Sequence, residues 1–409
     1  MKSIERMTKE YADLIVSSGV ALYPGQCLQI KTGPENYWFA QEIAVAAYKR
    51  KALLVRIDID DLLLVRTRLD NQEQEQLETV PDFAKAVDYE MMAKDWAYIR
   101  IDNTEDREYL ADADAGKLST YKSALGRSGA VYQRSRMRHE HPWCVVCAPG
   151  PKWARSVLGP DASVEDFWKL LAPILKLDRE DPALAWKEHA DTLLARGQRL
   201  DALQIRSLHF MSKETDLTIG FTEQHRWMGG GDPLPNGGWF IANIPTEEIF
   251  STPDRLTAEG YVVTTRPVSV MDSRVERVKL TFKEGKVVAC TAERGQEVMD
   301  RFLSVDEGAR YLGEVALVDE DSPIALSKRV FNSILYDENA SCHLALGAGY
   351  PSCLANAAEL STEEKLLAAG CNRSLVHTDF MVGSPDMTIE ATTKDGSVVT
   401  IMREGRFTL

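Results

Sequence analysis

The sequence predicts two domains: an α/β domain with a largely parallel sheet over residues 1–205, and a β-rich α+β domain over residues 206–409. Three observations support this prediction. A chain of 409 residues is too long for one ordinary hydrophobic core. Helical and strand patterns alternate in the first half, which is typical of a parallel sheet. In the second half, short strand patterns follow one another with little helix between them.

The first half opens with a helical pattern and then alternates. Within residues 3–17, one helix face carries Ile4, Met7, Tyr11, Leu14 and Ile15. The patterns that follow predict strand, helix, strand, helix and strand in turn, at residues 27–31, 37–49, 52–59, 83–92 and 96–101.

Helical patterns then dominate residues 164–203. Pro173 and the pair Asp181-Pro182 are expected to break these helices or to lie in their first turns. We therefore place the domain boundary at the end of this helical region.

The second half has a different pattern, with strand-like runs and little helix. Its strand-like runs lie at residues 208–211, 217–221, 239–244, 261–265 and 278–282. Residues 283–286 and 394–397 each contain a glycine between two apolar runs, which predicts hairpin turns.

Charge and composition exclude several classes of partner. The chain has 48 Lys and Arg against 62 Asp and Glu, a net charge of -14, whereas binding to nucleic acid needs a basic surface. No run of 18 apolar residues is present, and the charged N-terminus is unlike a signal peptide, so we predict a cytoplasmic protein without a membrane partner. The 7 cysteines have no regular spacing, which fits reduced thiols.

The segment from Asp337 to Pro351 contains several side chains that can bind a metal or transfer a proton, close together in the sequence. A carboxylate (Glu338), an imidazole (His343) and a phenol (Tyr350) occur there among small residues that let a backbone approach a ligand closely. This mixture suits a metal site with a neighbouring group that handles protons or stabilises charge.

Three further stretches offer metal-binding side chains. Glu247 and Glu248 follow a proline turn, although taken alone they fit the first turn of a helix better. Glu314 interrupts an apolar run, so it is either buried and paired or on a strand face towards solvent. His377 and Asp379, two apart on a strand, would point to the same face and could hold one ion.

A competing stretch contains Cys144-x-x-Cys147 after His139 and His141. A structural zinc needs four ligands that converge from a turn, whereas the two residues between these cysteines continue a buried strand pattern. We therefore expect a strand there and no zinc site.

Taken together and in order, these stretches resemble the metallo-aminopeptidase family that includes aminopeptidase T of thermophiles and aminopeptidase S of staphylococci. Residues 215–409 carry most of the resemblance. Its motifs are Asn243-Ile244-Pro245-Thr246-Glu247-Glu248, Gly313-Glu314-Val315-Ala316, Asp337-Glu338-Asn339-Ala340-Ser341-Cys342-His343, Gly349-Tyr350-Pro351 and His377-Thr378-Asp379.

The resemblance implies a two-metal centre in the C-terminal domain and a homodimer whose N-terminal domains contribute dimer contacts and substrate access. The positions that match its metal ligands are Glu248, Glu314, Glu338, His343, His377 and Asp379. Glu314 matches a bridging ligand and Tyr350 an active-site tyrosine, while Glu338 is either a ligand or the general base.

The expected function is a metal-dependent aminopeptidase that acts on small peptides with two divalent ions, zinc, cobalt or manganese, per chain. The closest alternative is a ring-cleaving dioxygenase with one ferrous ion, for which His343, His377 and Asp379 would suffice. Glu248 and Glu314 argue against it, because a mononuclear site does not need them. A non-catalytic binding protein is a further alternative, which failure to bind divalent metal would favour.

Overall fold

A computed structural model describes residues 2–271 and 273–409. Within these residues, the chain up to position 202 alternates helices with four strands. The helices are α1 (Ile4–Leu14), α2 (Tyr37–Lys49), α3 (Leu62–Asn71), α4 (Gln74–Leu77), α5 (Asp82–Ala93), α6 (Ala115–Met137), α7 (Pro151–Leu158), α8 (Val164–Ile174) and α9 (Pro182–Ala202). The strands are β1 (Cys27–Thr32), β2 (Leu54–Ile59), β3 (Ala97–Asp102) and β4 (Trp143–Cys147).

The rest of the chain is mostly strand with short helices. The strands are β5 (Ile205–Ser212), β6 (Thr215–Gly220), β7 (Met228–Gly229), β8 (Asp232–Pro233), β9 (Trp239–Phe240), β10 (Asn243–Ile244), β11 (Glu248–Ser251), β12 (Glu259–Val263), β13 (Val268–Val270), β14 (Ser273–Lys283), β15 (Lys286–Arg294), β16 (Leu312–Val318), β17 (His343–Gly347), β18 (His377–Met381), β19 (Thr388–Thr393), β20 (Val398–Arg403) and β21 (Arg406–Phe407). The helices are α10 (Gln296–Phe302), α11 (Pro323–Ser327), α12 (Ile334–Glu338) and α13 (Glu363–Ala368).

The chain forms two compact units. The first comprises residues 1–187 and 231–244, and the second comprises residues 188–230 and 245–409. The first unit contains a parallel sheet in the order β10-β4-β3-β1-β2, while the sheets of the second unit are antiparallel. The predicted fold class, an α/β part followed by a β-rich part, is confirmed.

The division of the chain differs in detail from the predicted boundary at residue 205. The first unit passes into the second within α9, and residues 231–244 return to the first unit. There β10 pairs in parallel with β4, through Asn243 with Val145 and Ile244 with Val146. The assignment of separate functions to residues 1–205 and 206–409 stays a prediction.

Local sequence explains the ends of several elements. Asp181 Oδ1 accepts a hydrogen bond of 3.0 Å from the Leu184 N–H, so Asp181 caps α9 and Pro182 lies in its first turn, as predicted. Glu284 and Gly285 adopt positive φ angles between β14 and β15, which confirms a hairpin turn there. None of the helices in the described ranges is both long and apolar enough to cross a lipid bilayer.

The second unit has two main sheets around one large apolar core. One runs in the order β13-β14-β12-β6-β5-β19-β20-β21, with β15 paired to β14. The other, which we call the site sheet, has the order β18-β17-β16-β11-β7. Side chains of both sheets meet in the same cluster of buried apolar residues, so the site sheet is anchored along one of its faces.

Candidate metal centre

The register of the site sheet places the predicted ligands on one face. Ala345 of β17 pairs with Glu314 of β16 on one side and with Asp379 of β18 on the other, so these three side chains share a face. His343 and His377 share it too, because each lies two residues from Ala345 or Asp379 along its own strand. The prediction that His377 and Asp379 point to the same face is confirmed.

Glu248 joins this face from β11. Phe250 of β11 pairs with Ala316, which lies two residues beyond Glu314 on β16. Glu248 lies two residues from Phe250 and therefore points to the same side. Since Glu248 begins a strand, the explanation of this acid as the first turn of a helix is wrong.

The opposite face of the site sheet is apolar and belongs to the core. It presents the buried side chains of Ile249, Val315, Leu317, Leu344, Leu346 and Phe380. Successive side chains of a strand point to opposite faces, so the same strands present one polar face and one apolar face. Glu314 is buried, at 4% exposure, in a strand that is paired on both sides, so the solvent-facing alternative for this residue is wrong.

The acids and imidazoles on the polar face lie in contact. His343 Nε2 lies 3.1 Å from Glu248 Oε2, and His377 Nε2 lies 3.2 Å from Glu314 Oε2 and 3.4 Å from Asp379 Oδ1. Donor atoms within 4.8 Å of one another form two triplets: Glu248, Glu314 and His343, and Glu314, His377 and Asp379. Glu314 belongs to both triplets.

Glu338 reaches the same cluster from α12, of which it is the last residue. Its carboxyl group is buried and lies close enough to Asp379 and Glu248 to be affected by their charges. Burial, and then the negative charges of Asp379 and Glu248, raise the pKa of Glu338 well above its usual range. The predicted residues of the segment from Asp337 to Pro351 are therefore close to those from the other strands.

The electrostatics of the cluster favour positive charge. Burial is the main reason why the pKa of Glu314 rises to about 7, and the charge of Asp379 adds to it. Burial alone would lower the pKa of His343, but its hydrogen bond to Glu248 and the nearby carboxylates outweigh this and raise the pKa to about 10. Four acids at one buried place need compensating cations.

The donor set fits divalent metal ions. Carboxylate oxygens and imidazole nitrogens are hard and borderline ligands, suited to zinc, cobalt or manganese. Each triplet offers one imidazole and two carboxylates, with Glu314 common to both. These residues can therefore hold one ion in each triplet.

Tyr350 borders this face and directly precedes a 3-10 turn at Pro351–Cys353. Its ring lies edge-on to that of His377, with 5.1 Å between the centroids, and 5.5 Å from that of Phe250. The backbone N–H of Tyr350 donates to Thr252 Oγ1 at 2.9 Å, and the Thr252 hydroxyl donates to the Tyr350 carbonyl at 3.0 Å. This exchange fixes the turn against the strand that carries Phe250.

Gly347 shows why this part of the sheet needs small residues. Its φ angle is +112°, and a Cβ atom there would lie 2.0 Å from the Val376 carbonyl oxygen. Only glycine meets both conditions. His377, which pairs with Gly347, donates a hydrogen bond of 2.7 Å from its Nδ1 to the Ala348 carbonyl. Nδ1 therefore carries a proton, and Nε2 faces the acids.

Asn339 was not predicted to belong to the site. It is fully buried; its Oδ1 accepts the Glu247 N–H at 2.7 Å, and its Nδ2 donates to the Leu335 carbonyl at 2.9 Å. These bonds join the end of α12 to the residue before β11.

Of the two adjacent acids Glu247 and Glu248, only Glu248 faces His343, because the Glu247 carboxylate lies 3.4 Å from His189 Nε2. No local pattern reveals Asn339, because its partner is 92 positions away.

We expect Asn339→Ala to weaken both the fold and the site. The change leaves the buried Glu247 N–H without its acceptor, which should cost about 1–3 kcal/mol of unfolding free energy. It also releases the start of β11, so kcat/KM for the expected peptide hydrolysis should fall about tenfold or more, since small displacements of catalytic groups are costly. Urea denaturation and steady-state kinetics measure the two effects. Asn71→Ala, at an exposed position in α3, is the control, and unchanged kcat/KM in Asn339→Ala would contradict the positioning role.

The competing Cys-x-x-Cys stretch lies in the first unit. Cys144 and Cys147 are buried within β4, as the strand pattern predicted. His139 Nδ1 lies 3.3 Å from Asp232 Oδ1, and His141 Nδ1 lies 2.9 Å from Asp95 Oδ1. Both histidines are thus engaged with carboxylates.

Comparison with known proteins identifies the family. A sequence model of the thermophilic metalloproteases, family M29, matches residues 4–407. The chain belongs to this family. As members are metalloproteases, the predicted resemblance and the predicted class of enzyme, a metal-dependent peptide hydrolase, are confirmed.

Individual relatives match over their full length. The chain is 36% identical to aminopeptidase PepS of Streptococcus thermophilus, covering 97% of each protein. It is 32% identical to aminopeptidase T of Thermus aquaticus, covering 100% of each. The solved structure of wild-type AmpT from Thermus thermophilus superposes with a TM-score of 0.91 at 31% identity, covering 100% of both chains. This M29 fold therefore extends over the whole of the described chain.

Proposed function

We propose that this protein is an aminopeptidase that removes N-terminal residues from small peptides by means of two divalent metal ions per chain, zinc, cobalt or manganese. The observation that carries the proposal is the position of Glu314 in two triplets of buried metal-binding side chains. The relatives named above are aminopeptidases, which supports the preference for peptide N-termini.

In this proposal, Glu248, His343 and Glu314 hold one ion, and Glu314, His377 and Asp379 hold the other. When bound, such a pair of ions acidifies a water molecule and polarises the scissile carbonyl group. The protein fixes the geometry, because all five ligands lie in the paired strands β11, β16, β17 and β18.

Glu338 is assigned the role of general base. It enters from a helix, not from the site sheet, and its carboxyl group is buried beside the ligands Asp379 and Glu248. Its raised pKa means that the buried carboxyl group can accept a proton near neutral pH and hold it. Passing this proton to the departing amine would complete hydrolysis of the peptide bond.

Tyr350 is assigned the role of oxyanion donor. Burial and the charges of Glu314 and Asp379 raise the pKa of its phenol well above the usual value. The hydroxyl group therefore remains protonated at neutral pH and can donate a hydrogen bond to the developing oxyanion.

Tyr350→Phe should lower kcat about 10²-fold or more, as the loss of one oxyanion donor does in other hydrolases. KM and metal content should change little, because the hydroxyl acts in the transition state and is not a ligand. Steady-state kinetics with elemental analysis tests this, with Tyr261→Phe on β12 as the control. A loss of metal, or kcat equal to that of the wild type, would contradict the assignment.

We also propose a cytoplasmic homodimer, in which the first unit supplies dimer contacts and substrate access. The support is apolar surface around β2, an edge strand of the parallel sheet. Leu53 and Leu64 beside this strand are 71% and 66% exposed, and Leu54, Ile59 and Leu63 are exposed as well. Apolar groups clustered at an open edge are typical of a surface that another chain covers.

The proposed function is tested with stripped protein to which each metal is restored in turn. We expect release of free amino acids from aminoacyl-anilides and dipeptides, no action on N-acetylated versions, and close to two ions of zinc, cobalt or manganese per chain. One iron per chain with oxygen uptake would instead establish the dioxygenase. Equal rates with free and acetylated N-termini would exclude an aminopeptidase while leaving a metallopeptidase.

A further inference from the structure

A second group of buried oxygen atoms lies in the first unit, where β1 and β3 end. These strands are neighbours in the parallel sheet, and they are followed by Gly33 and by the loop from Asn103 to Asp106. In open parallel sheets, ligands bind beyond the carboxyl ends of the strands. The polar atoms at this edge therefore lie where a ligand could bind.

Asp106 is a buried carboxylate without a partner. Its exposure is 1%, and among the described residues neither of its carboxylate oxygens has a hydrogen-bond donor. The residue precedes a 3-10 turn at Arg107–Leu110, where an aspartate usually accepts a backbone N–H, but its side chain makes no such bond. Because a buried charge without a partner is strongly unfavourable, this carboxylate needs a donor or a cation.

Asn103 presents a second unpartnered oxygen to Asp106. Its Nδ2 donates to the Asp60 carbonyl at 3.3 Å, while its buried Oδ1 has no donor within the described part of the chain. A Cβ atom at Gly33 would lie 2.5 Å from Asn103 Oδ1 and 2.6 Å from Asp106 Oδ2. Two acceptor oxygens therefore converge beside the backbone of Gly33, where only a residue without a side chain leaves room for them.

The surrounding charges are mostly negative. Burial raises the pKa of Asp106, and Glu35, Glu105 and Asp61 add to the rise, whereas Lys152 opposes it. The Lys152 ammonium group, however, lies 2.6 Å from Glu108. Nearby, Glu105 accepts the backbone N–H groups of Lys152 at 2.9 Å and Trp153 at 2.7 Å, which caps α7.

We propose that this place binds a hard divalent cation, Ca²⁺ or Mg²⁺, through the Asp106 carboxylate and Asn103 Oδ1. Carboxylate and amide oxygens are the ligands that these ions prefer, and water molecules commonly complete their coordination. Neither of the two side chains is an imidazole or a thiol, so this site differs in metal preference from the one on the site sheet. It lies outside the catalytic machinery and does not depend on the proposed function.

Cation binding here should stabilise the protein and should require Asp106. We expect Ca²⁺ or Mg²⁺, added to chelator-treated wild-type protein at about a hundredfold excess over the dissociation constant, to raise Tm by roughly 5 °C. Equilibrium dialysis should find one ion per chain fewer in Asp106→Asn than in the wild type, and Asp106→Asn should lose the rise in Tm. The ligands on the site sheet are intact in this variant, so any binding there cancels in the comparison. Glu108→Gln, in the same loop segment, is the control and should retain both signals.

Asn103→Asp tests the same proposal through an expected increase in cation affinity. A second carboxylate should lower the dissociation constant for Ca²⁺ or Mg²⁺ by about tenfold and make the Tm depend more steeply on the cation. If Asp106→Asn fails to fold, the Asn103→Asp variant still tests the proposed site.

One alternative accounts for the same atoms without a metal: a neutral Asp106 that donates its proton to Asn103 Oδ1. In that case Ca²⁺ and Mg²⁺ leave the Tm unchanged or shift the wild type and Asp106→Asn equally, and Asn103→Asp is destabilised without rescue by either ion. Any of these results would overturn the proposed site.

Discussion

Glu314→Ala is expected to bring metal content below one ion per chain and to lower kcat/KM by on the order of 10³-fold or more. Loss of a residue that touches the metal only indirectly already costs about 10- to 100-fold, and Glu314 contributes to both triplets. Neither neighbour of Glu314 in β16 can replace it, because Gly313 has no side chain and Val315 belongs to the apolar core. Elemental analysis of dialysed protein and steady-state kinetics measure the two losses.

The matched control for this change is Glu390→Ala. Glu390 lies in β19, in the other large sheet, and belongs to neither triplet. Its replacement should leave metal content and kcat/KM close to wild-type values. Two tightly held ions in Glu314→Ala would contradict the bridging role and would require a different ligand set.

Glu338→Gln is expected to lower kcat by about 10³-fold, within the range that general bases contribute, while metal content stays close to that of the wild type. Glutamine has nearly the same shape but cannot take up a proton. Burial already raises the pKa of Glu338, so a neutral group is tolerated at this position and Tm should not fall. Kinetics, elemental analysis and thermal unfolding of the same preparation separate the three quantities.

The outcome of Glu338→Gln also distinguishes the two roles left open for this residue. Loss of one ion per chain would make Glu338 a ligand, whereas full activity would remove it from the mechanism. Glu359→Gln, an exposed glutamate in the second unit, controls for the change of charge and should behave like the wild type.

Local patterns predicted much of the fold because many elements bury one regular face. The alternation of the first half and the shared face of His377 and Asp379 follow from periods of 3.6 and 2. In contrast, no pattern predicted α6, because this helix contains three glycines and buries few apolar side chains. The pairing of β10 with β4 was also invisible, since a two-residue strand carries no sign of its partner.

The candidate metal centre also depends on contacts that a local sequence pattern does not show. The acid at Glu314 could face solvent or the interior as long as only its own strand was known. Its burial depends on β11 and β17, which lie far away in the sequence. Asn339 is a stronger case, because its function in the site rests on one hydrogen bond to the distant Glu247 N–H. The family resemblance supplied what local periodicity could not.

The donors on the site sheet come from strands that the ribosome makes at widely separated times, from Glu248 in β11 to Asp379 in β18. A nascent chain that has not emerged beyond Asp379 lacks one of the proposed ligands, and β17 still has an open edge where β18 will pair. The proposed metal centre can therefore be completed only late in synthesis, once β18 has been made.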